Sequence, residues 1–187
     1  HLDPLSESDC DRLVDWLAEL EAPCLVIVGD LFDAWVGPAH ESCLGARRVL
    51  EALSSLTAGG TSVVLLHGNR DFLMGESLER ATGARVASDG TRVALIHGDE
   101  LCTRDLSYQR LRKVLRSAFV RSLAPRVPLG VAGAIARRLR SASVQAVAYK
   151  PSAEKEMQEE ACRLTARERS AAVVVCGHAH RARDEQL

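Results

Sequence analysis

Four short apolar runs recur along the chain, Cys24 to Val28, Thr61 to Leu66, Arg92 to Ile96 and Ala171 to Cys176. Each is rich in Val, Leu and Ile without polar alternation, the pattern of a strand covered on both faces. Helical spacing lies between them. Leu13, Trp16, Leu17 and Leu20 stand at i, i+3, i+4 and i+7 behind Ser6 and Ser8, either of which can cap a helix N-terminus. Val49, Leu50, Leu53 and Leu56 predict a second helix, and Glu154 to Ala166 a third. Strands alternating with helices predict an α/β layered fold.

From Arg104 to Lys150 the rhythm changes. The stretch holds eleven Lys or Arg and one acidic residue, Asp105. Leu111, Val114, Leu115, Ala118 and Phe119 form one helical stripe, with Arg110, Arg112, Lys113 and Arg116 on other faces. Pro125 and Pro128 interrupt the chain before a second amphipathic stretch, in which Ala132, Ile135, Ala136 and Leu139 align. The pattern predicts a helical hairpin inserted between two strands, a candidate lid. Positive charge beside apolar stripes suits a phosphorylated, acylated ligand or an anionic bilayer surface better than a merely solvated face. Nucleic acid is disfavoured, since aromatics are too sparse here for a stacking surface.

Composition limits the remaining classes. A chain of 187 residues with 47% apolar and 26% charged residues and a net charge of -1 reads as one globular domain, 1–187, with the insertion at about 104–150. The six cysteines, Cys10, Cys24, Cys43, Cys102, Cys162 and Cys176, are scattered and form no C-x-x-C pair, which predicts a reduced, cytoplasmic setting. No run of about 18 apolar residues exists to span a bilayer, and the amino end lacks the layout of a secretory signal.

Each apolar run stops at residues that can bind metal or phosphate: Gly29-Asp30 with Asp33, Gly68-Asn69-Arg70-Asp71, His97-Gly98-Asp99, and Gly177-His178-Ala179-His180. Ligands of open α/β sheets gather outside the carboxyl ends of the strands, so these clusters are expected to meet at one edge. Imidazole, carboxylate and amide oxygen together suit a borderline divalent ion such as manganese, iron or zinc. A lone Gly-Asp is more often a turn, and a lone His after a strand more often structural. Two His one residue apart on an extended segment face the same side, and the four clusters in this order carry the argument together. Of the other candidates, His40 lies in a polar loop and is expected to be exposed. Trp35 either shields the site or packs in the core, and His67 is expected to make a structural hydrogen bond.

The motifs GDLFD, GNRD, HGD and GHAH, in this order, resemble the calcineurin-like metallophosphoesterases. That family opens with D-x-H, and His1 is similar to its second half. Either the Asp lies upstream of the given sequence or one metal lacks a ligand; the absence of the strand that bears it favours the former. GDLFDAWVG, HGNRDFLMG and HGDELCTRD, with GHAHRA and the inserted hairpin, are similar to the UDP-2,3-diacylglucosamine hydrolase family of lipid A synthesis over nearly the whole chain.

The resemblance implies a four-layer metallophosphoesterase sandwich and two divalent ions, expected to be manganese. The first ion would be held by the upstream Asp, His1, Asp30 and His180, the second by Asp30, Asn69, His97 and His178, with Asp30 bridging. It also implies attack of water on the α-phosphorus of a UDP-activated acylated sugar, releasing UMP and an acylated sugar 1-phosphate, with Asp30, Asn69, Arg70 and His178 as the catalytic set. Arg70 stands where most of the superfamily has a proton-donating His; Arg is no proton donor at neutral pH, but its planar guanidinium suits a phosphate. By the same resemblance Asn69, Arg70, Tyr108, Arg140 and Lys150 contact the substrate. The protein is expected to be cytoplasmic, with the basic hairpin offering a peripheral contact to the cytoplasmic face of the inner membrane.

Two departures stand out. SASVQAVAY replaces the family's Asn- and Ser-rich segment between Arg140 and Lys150, which leaves sugar recognition open, and the chain ends at Leu187 where the family continues with further strands, as a fragment would. Hydrolysis of another nucleotide or phosphodiester therefore stays open. So does a non-catalytic scaffold, although the intact ligand set argues against it.

Overall fold

A computed structural model of the chain describes residues 1–87 and 93–179. The elements run α1 (Glu7–Ala18), β1 (Cys24–Ile27), α2 (Leu44–Ala58), β2 (Ser62–Leu66), α3 (Glu76–Thr82), β3 (Arg85–Ala87) and β4 (Val93–Ile96). After these come α4 (Leu106–Leu115), α5 (Ala118–Leu123), α6 (Leu129–Tyr149), α7 (Ser152–Lys155), α8 (Glu159–Glu168) and β5 (Val173–Cys176). The four apolar runs become β1, β2, β4 and β5. The three-residue β3 and the seven-residue α3 were not signalled by periodicity, being too short to display any.

The strands form two parallel sheets, β1-β2-β3 and β4-β5. In the first, Val26 pairs with Val64 and Leu65 with Val86; in the second, Ile96 pairs with Cys176. Parallel pairing puts the carboxyl ends of β1 and β2 at one edge, and those of β4 and β5 at one edge. Beside Phe32 the amino-terminal segment joins through a single parallel bridge at Leu2, whose N–H donates to the Leu31 carbonyl at 2.9 Å. That bridge brings His1 to the end of β1. The continuous apolar runs predicted strands covered on both faces, yet β5 leaves Val173 and Val175 exposed among the described residues.

The main core lies between α1, α2 and the three-stranded sheet. Helix α1 starts at Ser6, whose hydroxyl accepts the Asp9 N–H at 3.4 Å. It buries Cys10 and Leu17, while Trp16, counted in the predicted stripe, is 50% exposed. Helix α2 turns Ala46, Val49, Leu50 and Leu53 inward, against Leu65, Phe32 and Leu78. Burying each such aliphatic side chain contributes about 1.5–3 kcal/mol. Trp35 is core: it is 1% exposed, with its ring 4.9 Å from Phe32.

Three expectations are corrected. His40 is buried, not exposed. It sits in the 3-10 turn Pro38–Ser42, its Nδ1 accepts the Val36 N–H at 3.4 Å, and its ring lies 5.7 Å from Trp35; packing on that indole outweighs the polar character of the loop. His67 makes no hydrogen bond through Nδ1, which is buried without a partner among the described residues. Burial and the nearby Arg116 and Arg121 charges lower its pKa, favouring a neutral ring. The single helix over Glu154 to Ala166 is divided into α7 and α8 at Gln158, whose extended backbone lets its N–H donate to the Leu101 carbonyl at 2.9 Å.

The basic stretch is helical, but it is three helices, of which α6 turns Ala132 and Ala136 of its predicted stripe inward while α4 and α5 leave theirs outside. The apolar stripe breaks after Arg116, where Ser117 is extended and caps α5 through the Val120 N–H at 3.4 Å. Leu111, Val114 and Phe119 are all exposed, Phe119 at 71%. Helix α4 instead packs through polar side chains, and α6 docks its small residues Ala132 and Ala136 against Val36. Among the described residues no helix is long and apolar enough to cross a membrane.

Candidate metal centre

The ends of β1, β2, β4 and β5 deliver Asp30, Asn69, His97 and His178 to one place. Asp30, His97 and His178 each offer a ligand atom within 4.8 Å of the others. His97 Nε2 lies 3.0 Å from Asn69 Oδ1 and 3.5 Å from Asp30 Oδ2, and His178 Nδ1 lies 3.2 Å from the same Asn69 oxygen. His1 Nε2 joins at 3.4 Å and Arg70 Nε at 3.6 Å, both from Asp30 Oδ2. Among the described residues these six come together. His180 lies outside the described residues.

Backbone geometry explains why glycine flanks the ligands. Asp30 and His178 both hold left-handed backbone, φ 54 and φ 58, a conformation costing about 1–3 kcal/mol in a non-glycine residue and found where function demands it. Gly29 shares it at φ 79, and a Cβ there would stand 2.6 Å from His97 Nδ1. At Gly68 any Cβ would overlap the Asp30 carboxylate. These close approaches let the loops after β1, β2 and β4 nest together.

The sheets are tied at the same point. His97 Nδ1 sits 2.8 Å from the Val28 carbonyl, which can only accept, so Nδ1 carries the hydrogen and Nε2 of the neutral ring presents its lone pair to the cluster. The Gly177 N–H donates to the His97 carbonyl at 3.0 Å, drawing the β5 end alongside. For Asp30, burial acts to raise the pKa, but the hydrogen-bonded His97 and the Arg70 amide and guanidinium reverse it and hold the carboxyl below its ordinary range. His97 moves the opposite way: burial acts to lower it, and Asp30 raises it overall. One carboxylate, two imidazoles and an amide oxygen, with no thiolate, form a donor set that fits a borderline divalent cation.

Asp71 and Asp99, adjacent to the ligand clusters in sequence, have other work. Asp71 is fully buried and accepts three amide hydrogens, from Gly68 at 2.8 Å, Asp30 at 3.2 Å and Leu31 at 2.7 Å. Burial first, and then the Asp30 charge, push its carboxyl up to about 6. Asp99, also fully buried, receives the Tyr108 hydroxyl at 2.5 Å and Arg112 Nε at 2.7 Å. Burial alone would raise Asp99, but a hydrogen bond with Glu100 and the Arg116 charge, with Tyr108 and Arg112, hold it well below the carboxylate range. These anchoring roles were not legible from motif spacing, because their partners are backbone amides and a helix brought close only by folding.

The remaining predicted substrate contacts lie on the insertion. Tyr108 stacks on the His178 ring at 6.5 Å between centroids while its hydroxyl is held by Asp99. Arg140 pairs with Asp33 and with Asp3, the latter at 3.5 Å. Lys150 Nζ pairs with Asp105 at 2.6 Å. Asp105 also caps α4 through the Tyr108 N–H at 3.0 Å, so Lys150 is fixed next to the first turn of that helix.

No family model matches the chain. It is similar to the UDP-2,3-diacylglucosamine hydrolase of Pseudomonas fluorescens, with 35% identity over 167 residues that cover 86% of this chain and 67% of the relative. The protein of the same name from Pseudomonas putida is 34% identical over 167 residues, 86% of this chain and 69% of its own length. A third, from Pseudomonas savastanoi pv. phaseolicola, is 40% identical over 130 residues, 66% of this chain and 52% of the relative. Identity at this level over most of both partners in the first two pairs extends far beyond the metal-ligand motifs, and the chain belongs to the UDP-2,3-diacylglucosamine hydrolase family.

Proposed function

We propose that the protein hydrolyses the pyrophosphate bond of UDP-2,3-diacylglucosamine, releasing UMP and 2,3-diacylglucosamine 1-phosphate in lipid A biosynthesis. The observation that carries this reading is the convergence of Asp30, Asn69, His97 and His178 in a chain whose relatives bear that enzyme's name. Asn69, His97 and His178 would hold one divalent ion, and His1 with His180 the other, with Asp30 shared. Two such ions, expected to be manganese, supply polarisation of a phosphoryl oxygen and a water of lowered pKa.

The chain's own residues then select and orient the diphosphate. Arg70, beside Asp30, offers a planar fork of N–H donors to phosphate oxygens that gain charge during the reaction. Water oxygen bonds to the uridylyl phosphorus, the bond from that phosphorus to the bridging oxygen breaks, and its electron pair departs with the sugar 1-phosphate. Tyr108 borders His178 and forms one wall of the site. Arg140 and Lys150 exchange their carboxylate partners, Asp33 and Asp105, for phosphate oxygens of the substrate.

The architecture we assign is a single domain, the four-layer metallophosphoesterase sandwich, with α4 to α6 as a helical lid over residues 104–150. Outward-facing Leu111, Val114 and Phe119, interleaved with Arg110 and Lys113, suit acyl chains emerging from the anionic cytoplasmic face of the inner membrane. Hydrolysis of the UDP-sugar lipid in heavy-oxygen water by the manganese-loaded protein tests the reading. The label is expected in UMP; label in the sugar phosphate, or no turnover, overturns it.

A further inference from the structure

Helix α4 approaches the metal centre with its polar side. Tyr108, Arg112 and Arg116 recur every four residues, so they share one face of the helix, and all three reach Asp99. Gln109 adds a bond from Nε2 to the Asp99 backbone carbonyl at 2.9 Å. A fully buried carboxylate needs such company. Arg116 differs from the others in one respect. Its Nη2 lies 3.3 Å from Asp99 Oδ2 and also donates to the Gly68 carbonyl at 3.1 Å.

One guanidinium nitrogen, with two hydrogens, therefore spans two ligand-bearing loops. Asp99 follows His97 by two residues, and the Gly68 carbonyl belongs to the peptide that leads into Asn69. The N–H of Gly68 is already held by Asp71 at 2.8 Å. With its carbonyl held by Arg116, the peptide units on both sides of Gly68 are pinned, and the next residue, Asn69, brings its Oδ1 to 3.0 Å from His97 Nε2. Arg112 grips Asp99 and Glu100 and, among the described residues, makes no such link to the β2 loop.

We propose that Arg116 is a positioning residue for the metal centre: by bridging Asp99 and the Gly68 carbonyl it holds Asn69 and His97 at the spacing one cation requires, and so couples helix α4 to metal affinity. The proposal rests on the reading of this cluster as a metal centre. Outer partners of this kind typically change metal affinity 10–100-fold when removed.

The experiment is calorimetric titration of manganese into the metal-free full-length protein, with circular dichroism to confirm folding. Arg116→Gln is expected to raise the manganese Kd about tenfold, while Arg112→Gln, which disturbs the same buried carboxylate, leaves it within about twofold. In an Asn69→Ala background Arg116→Gln should have no further effect, since the two act through one group. If Arg116→Gln does not fold, Arg116→Lys carries the test, because the shorter side chain keeps the charge but draws its nitrogen back from the two acceptors; a Kd raised at least about threefold is expected. Wild-type affinity in the folded Arg116 variant, or equal weakening by Arg112→Gln, overturns the proposal. Failure of the wild-type protein to bind manganese at all would instead reject the metal centre, and the proposal with it.

Discussion

His97 Nε2 and His178 Nδ1 face each other at 3.3 Å, with the Asn69 amide oxygen close to both. Nitrogen lone pairs so placed are relieved by a cation between them. Asp30 raises the pKa of His97, and wherever that ring is protonated its Nε2 proton must leave before the cation binds, so manganese affinity is expected to rise with pH through the His97 titration. Calorimetry in two buffers of different ionisation enthalpy should detect the proton released. Identical heats in both buffers, with a pH-independent Kd, would contradict this.

Asp71 binds the amides of Gly68, Asp30 and Leu31 with one buried carboxylate. Asp71→Ala strands three donors, each costing about 1–3 kcal/mol, and melting should fall by roughly 2–4 °C per kcal/mol lost. The folded-state pKa of Asp71 is raised from 3.8 to about 6, so its contribution to stability is full at low pH and is lost as pH rises through that value. In metal-free protein the deficit of Asp71→Ala should therefore be larger near about pH 4.5 than near about pH 7.5. A deficit that grows with pH would show the sign to be wrong.

Arg70 and Asp30 should separate phosphate recognition from metal binding. Asp30→Ala is expected to abolish turnover and weaken manganese binding while the far-UV spectrum is retained, since the site lies at an edge of the core. Arg70→Lys keeps the charge but loses the fork, so turnover should fall with manganese Kd unchanged. Kinetics equal to wild type in Arg70→Lys would deny Arg70 a phosphate role.

Phe119 is the most exposed ring of the α4–α5 surface, at 71%. If this surface takes up acyl chains, affinity should rise by at most about 0.8 kcal/mol per methylene until the surface is covered. Phe119→Ala should then weaken long-chain UDP-sugar substrates and spare deacylated ones. Arg140→Ala should raise KM for the full substrate but not for a small chromogenic phosphodiester that reaches only the metals. Equal cleavage of all substrates by wild type and both variants would remove acyl selection from this segment.

Much of the site was legible before folding was considered. Asp30, Asn69, His97 and His178 follow apolar strands, a local property of the sequence, and the alternation of strands with helices implies the parallel pairing that carries strand ends to one edge of each sheet. The stripe of α2 was legible for the same reason, because its apolar face meets the sheet that its own spacing implies. Helix α4 was not. Its apolar stripe was the natural inward face, yet burying Asp99 demanded cationic and hydroxyl partners, and Tyr108, Arg112 and Arg116 turned inward to supply them. The burial of His40 against Trp35 and the division of α7 from α8 at Gln158 likewise depend on partners far away in the chain. Sequence by itself determined which residues stand at the strand ends and the chemistry they offer. Only the tertiary structure decided which side of each helix faces that chemistry, since a buried charge selects its neighbours by distance in space.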